Sequence, residues 1–128
     1  MRIKLAGVFV DDQDKALAFY TNVLGFHKKD DAPYSETARW LTVVSPEDPD
    51  GAELLLGLPS DAARDFQKAQ REIGAPATSF STDDIDRDCR ALKEKGVSFL
   101  MEPTKMDYGG TDAVFDDTCG NLINLHQD

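Results

Sequence analysis

Positive charge is scarce in this sequence. Lys and Arg number 14 against 24 Asp and Glu, for a net charge of −10. A protein that grips a phosphate backbone needs clustered cations to neutralise it, so nucleic acid is excluded as an expected partner. Cysteine is nearly absent. Cys89 and Cys119 stand alone, at no metal-site spacing, and are expected to be free thiols. No apolar run approaches the length of a bilayer-spanning helix, so no membrane partner is expected. The opening residues MRIKLAGVFVDD turn acidic too soon for a secretion signal, and a cytoplasmic protein is expected. There is no glycine-rich phosphate loop. Gly109–Gly110 is a lone pair suited to a turn, and Ser79 and Ser81 have no nucleophile elbow around them.

What remains is an ordinary folding composition. The 128 residues are 41% apolar and 30% charged, which suits one domain with a real core. Ile3 to Val10 reads as a buried strand bounded by Asp11–Asp12. A helix follows, with Ala16, Phe19, Tyr20, Val23 and Leu24 in one apolar stripe. Asp11, Asp12 and Asp14 sit where carboxylates cap a helix start, and Gly25 closes it. Strands are predicted over Phe26 to Asp30, Ala38 to Val44 and Ala52 to Leu58, the last two joined by the turn Pro46 to Gly51. Pro59 to Gly74 predicts a short linker helix, with Phe66, Ala69 and Ile73 at helical spacing.

The same order then recurs. A strand over Ala77 to Thr82 leads to Asp83–Asp84 and a helix to Lys95, with Ile85, Cys89 and Leu92 inward. Gly96 ends that helix, and a strand over Val97 to Glu102 and a loop over Pro103 to Gly110 follow. Thr111 to Phe115 and Asn121 to His126 form the closing hairpin. Val10–Asp11–Asp12 matches Thr82–Asp83–Asp84 at an offset of 72, Gly25 matches Gly96 at 71, and Gly51 matches Gly120 at 69. A near-constant offset across strand, helix cap and hairpin marks a duplicated βαβββ unit. The expected domain is a single α+β body. Its first unit spans about 1–58, its linker helix about 59–74, and its second unit about 75–128.

Val8 to Phe26 (VFVDDQDKALAFYTNVLGF), Phe80 to Asp84 (FSTDD) and Phe115 to Leu125 (FDDTCGNLINL) resemble the corresponding segments of the glyoxalase/bleomycin-resistance/dioxygenase (vicinal oxygen chelate) superfamily. The resemblance implies two curved mixed sheets around a cleft, often within a homodimer. It also implies where a divalent metal would be held in catalytic relatives. Those positions fall on Leu5, near Leu55 with Gly57 next inward, on Ala77 and on Asn124. Leu and Ala carry no donor and Asn only a neutral amide, so no metal cofactor is expected. Glu53 shares a strand face with Leu55, and His126 with Asn124, so both can line the cleft. The plainer reading is a Glu facing solvent at a strand start and a part-exposed His at a strand end. Leu5, Phe9, Leu55, Ala77 and Asn124 would line the cleft, Ser79 could donate hydrogen bonds, and Met101 and Tyr108 could wall it. Trp40 is expected in core packing, with ligand stacking as the alternative.

Three functions follow from the resemblance. The first is metal-independent binding of a small organic molecule. The second is a metal-dependent glyoxalase-like lyase or isomerase, or a dioxygenase-type enzyme. The third is a non-catalytic dimeric interaction protein.

Overall fold

The computed structural model describes residues 1–128. The backbone gathers into two units, Met1–Asp65 and Phe66–Asp128. The first contains β1 (Leu5–Phe9), α1 (Gln13–Ala18), β2 (His27–Pro33), β3 (Arg39–Val44) and β4 (Glu53–Gly57). Its four strands lie in the order β1-β4-β3-β2, with β1 parallel to β4 and the other pairs antiparallel. Asp12 caps α1 by accepting from Lys15 N at 3.0 Å, and Asp11 pairs with the Lys15 ammonium at 2.9 Å. The last turn widens into a π-helical turn over Phe19–Val23, where Leu24 N donates to Phe19 O at 3.1 Å. Gly25 then takes φ +87, a left-handed conformation open to glycine at no steric cost. Ala16, Phe19 and Tyr20 are buried with Val8, Val10, Leu41, Val43 and Leu56.

Gln13 fastens the first turn of α1 to the sheet. Its amide nitrogen donates to the carbonyls of Arg39 and Leu56, both at 2.8 Å, and its oxygen accepts from Arg39 N at 3.0 Å. A buried amide is tolerated because it is hydrogen-bonded on both sides.

The second unit repeats this plan. It holds β5 (Thr78–Ser81), α3 (Ile85–Glu94), β6 (Phe99–Lys105), β7 (Thr111–Asp116) and β8 (Leu122–Gln127), in the sheet order β5-β8-β7-β6. The boundary between the units falls inside α2 (Asp61–Glu72). Asp84 caps α3 through Arg87 N at 3.0 Å, and Ile85, Cys89 and Leu92 are its buried residues. The duplication is visible in register. Gly7 stands opposite Leu55 across the parallel pair of the first sheet, and Ser79 opposite Asn124 across that of the second. No helix is long and apolar enough to cross a membrane.

Four sequence expectations change. β6 continues to Lys105 through Pro103, where a loop was expected. Proline fits there because β6 is an edge strand with two register shifts, so a missing N–H breaks no required ladder bond. β2 runs on to Pro33 past a bulge between Lys28 and Asp31. Trp40 is not in the core but 36% exposed, because it lies near the start of β3, ahead of Leu41 to Val44, which are buried on both faces of the strand. Its nearest aromatic partner is Tyr34, with ring centroids 6.4 Å apart. β1, expected as a buried strand over Ile3 to Val10, spans Leu5–Phe9 and buries only Val8 among those five residues.

Candidate functional site: a cavity on the second sheet

Strand alternation and register place the polar residues of the second sheet in rows. Ser79 on β5 lies beside Asn124 on β8, Asn124 beside Val114 on β7, and Val114 beside Met101 on β6. The next row pairs His126 with Asp112. The β6–β7 hairpin rises beside these rows. Met106 N donates to Gly110 O and Gly109 N to Met106 O, both at 3.0 Å. Gly110 has φ +78, and a Cβ there would sit 2.6 Å from both Gln127 O and His126 Cε1. Only glycine lets the hairpin approach β8 this closely.

The result is an open cavity of about 500 Å³. Ser79, Asn124, Val114 and Met101 form its floor, Pro76 and Thr78 border it ahead of and within β5, and Met106, Tyr108 and Asp112 close the hairpin side. The lining thus mixes thioether and aliphatic groups with hydroxyl, amide and carboxylate groups.

Asp112 is the centre of the polar groups. It is only 4% exposed. His126 Nδ1 lies 2.5 Å from its Oδ1, and the Tyr108 hydroxyl donates to its Oδ2. Burial pushes the Asp112 pKa up, but the donors Tyr108 and His126 outweigh it and hold the carboxyl below its ordinary range. His126 is shifted upward by Asp112 first and then by Asp128, whose Oδ1 lies 3.1 Å from Nε2. Tyr108 is raised by donating to Asp112. Asn124 Nδ2 donates to Ser79 Oγ at 2.9 Å, beside a connected chain that runs from Tyr108 through Asp112 and His126 to Asp128.

Of the residues singled out from sequence, Ser79, Met101, Tyr108 and Asn124 line this cavity, and His126 braces it from behind Asp112. Ala77 precedes β5 and is exposed, its N–H donating to Leu122 O at 2.8 Å. Leu5, Phe9, Trp40, Glu53 and Leu55 belong to the first sheet. Leu5, Phe9 and Trp40 are exposed there. Glu53 is not a solvent-facing residue but 8% exposed, accepting from Thr42 Oγ1 at 2.9 Å and paired with Lys4 Nζ at 2.7 Å. The Lys4 bond first, and Thr42 next, lower its pKa. Sequence reasoning missed Pro76, Thr78, Met106, Asp112 and Val114. The alternation of Asp112 and Val114 with inward Ala113 and Phe115 was a signal for two of them. Hairpin geometry was not readable from spacing.

The sequence pattern of the Glyoxalase/Bleomycin resistance protein/Dioxygenase superfamily matches residues 2–125, and the chain belongs to that superfamily. The Bacillus subtilis (strain 168) protein YurT is 54% identical over 129 residues, covering 99% of each chain. Mitochondrial methylmalonyl-CoA epimerase of Bos taurus is 32% identical over 130 residues, covering 98% of this chain and 74% of the epimerase. The crystal structure of TnmS3, an antibiotic binding protein from Streptomyces sp. CB03234, superposes with a TM-score of 0.79. It is 30% identical, with 99% of this chain and 95% of that one covered.

Proposed function

We propose that this protein binds a small organic molecule in the cavity of the second sheet, without a metal. The cavity carries the reading: an open hollow of about 500 Å³ lined by apolar Met101, Met106 and Val114 together with polar Asn124 and Asp112. A mainly apolar wall with a few placed polar groups is the usual make-up of a ligand pocket. The likeness to the antibiotic binding protein TnmS3 supports it. So does the donor chemistry where catalytic relatives hold metal. Leu5, Leu55 and Ala77 have no donor atom, Asn124 is an amide bonded to Ser79, and Glu53 is engaged by Lys4 and Thr42. These side chains do not fit a site for Zn, Ni, Fe or Mn.

A thermal-shift screen of a broad compound library, run with and without EDTA, tests the reading. Ligands that raise Tm equally in both conditions are expected. A screen empty of ligands overturns it, as does stoichiometric Ni, Zn or Fe in the purified protein. The likeness to methylmalonyl-CoA epimerase favours a second reading, a metal-dependent lyase or isomerase, and the same metal analysis decides between them. Homodimer formation is part of the proposal, and light scattering after size exclusion tests it.

A further inference from the structure

The hydrogen bonds around Asp112 restrict what the cavity can recognise. Asp112 is acceptor-only, and neighbouring Asn124 turns its Nδ2 to Ser79 Oγ, donating at 2.9 Å. That leaves Asn124 Oδ1 with no protein donor. The Tyr108 proton is directed at Asp112, leaving the phenol lone pairs outward. The fixed polar atoms bordering the hollow are therefore acceptors: the Asp112 carboxylate, Asn124 Oδ1 and Tyr108 Oη. The Ser79 and Thr78 hydroxyls can rotate either way, and no Lys or Arg lines the cavity. The one cationic group in reach of Asp112 is His126, with Asp128 on its other nitrogen.

We propose that the ligand is an amphipathic amine whose ammonium group is anchored on Asp112, and that it competes with the proton on His126. This rests on the small-molecule reading above. A second cation beside Asp112 repels the imidazolium and weakens its hold on the carboxylate. His126 then releases its proton to the buffer, so the charge around Asp112 stays balanced. The groups that face this exchange are Asp112 on β7, Asp128 following β8 and Tyr108 on the hairpin. The apolar body of the ligand would lie on Met101, Met106 and Val114. The pKa of His126 is raised by the same carboxylates, which is the direction that makes proton release possible near neutrality.

Titration calorimetry with naphthylmethylammonium, naphthylmethanol and naphthoate tests the class, since the three share one apolar body. The ammonium is expected to bind at least about tenfold tighter than the carboxylate, the scale of one charge-assisted hydrogen bond. Its affinity should rise several-fold from about pH 6 to about pH 8 while that of the alcohol stays level. Paired runs in phosphate and Tris should register proton release with the ammonium only. Asp112→Asn should erase the preference for the ammonium. His126→Gln, which retains a donor for Asp112, should flatten the pH profile and abolish proton release, and it decides the matter if the Asp112 variant does not fold. Equal binding of all three compounds overturns the amine inference and leaves the small-molecule reading standing. Failure of all three to bind, when the broad screen does yield a ligand, overturns it in the same way. Failure of all three together with an empty screen overturns both.

Discussion

At the scale of single residues, the buried carboxylates are the informative groups. Glu53 and Asp112 each lie on a sheet face, nearly out of solvent, with donors on both oxygens. Each has a depressed pKa, so each contributes stability that is present above the unfolded value and lost as pH falls through the folded one. Glu53→Gln should cost about 1–2 kcal/mol at neutral pH, the scale of a hydrogen bond to a charged group. Urea unfolding should show that deficit vanishing in acid, once the wild-type carboxyl is protonated as well. His126 has the opposite sign. Its pKa is raised, so its contribution is complete below the unfolded value of about 6.5 and is lost as pH rises through the folded value. The urea midpoint of the wild type should therefore decline on the alkaline side of about pH 6.5, and that of His126→Gln should decline less. Buried Cys89 shows burial dominating over nearby charges, its thiol pushed up to about 11, with Lys93 opposing and Glu102 adding to the shift.

At the scale of elements, the β7–β8 hairpin shows local sequence and tertiary demand in conflict. Fully buried Asp117 ties the turn together, accepting from Cys119 N at 2.7 Å, Asn121 N at 2.9 Å and Asn121 Nδ2 at 2.7 Å. That wrapping forces Thr118 to φ +63, a conformation a β-branched residue resists. Thr118→Gly should therefore raise stability, by about 0.5–1 kcal/mol, read as a higher thermal midpoint with an unchanged circular dichroism spectrum. A lower midpoint would show that the threonine makes a compensating interaction. The helices display the reverse case, where every local signal agrees with the fold. Asp12 and Asp84 cap, Gly25 and Gly96 terminate, and the apolar stripes between them bury Ala16, Phe19 and Tyr20 in one unit and Ile85, Cys89 and Leu92 in the other. Those elements were legible because each signal lies within a turn or two of the chain.

At the scale of the whole molecule, charge is the property that composition alone settles. A net charge of −10 on 128 residues means self-repulsion that salt relieves. Raising NaCl from about 0.05 to about 0.5 M should lift Tm by a few degrees, measured by calorimetry. An unchanged or lowered Tm would show that screening of ion pairs such as Arg71–Asp116 and Arg39–Asp31 outweighs it. The duplicated βαβββ plan was also readable at this scale, because strand period, cap residues and a repeat offset of 69–72 are all properties of the linear chain. The cavity was not. Ser79, Met101, Tyr108 and Asn124 were recognised as facing residues, yet nothing in their spacing says that they meet. Their meeting depends on the register of β5, β8, β7 and β6, and on Gly110 letting a hairpin close against His126. Asp112 escaped notice for the same reason. An Asp in a strand looks like a solvated residue until its partners arrive from β8, 14 residues on, and from the hairpin tip. The sequence by itself determined the repeat, the helices, the acidic charge and the absence of donor atoms at Leu5, Leu55 and Ala77, because these are local or compositional. Which polar groups are buried together, and therefore which ligand chemistry the site can complement, was decided only by tertiary structure, because burial and pairing are relations between strands distant in the chain.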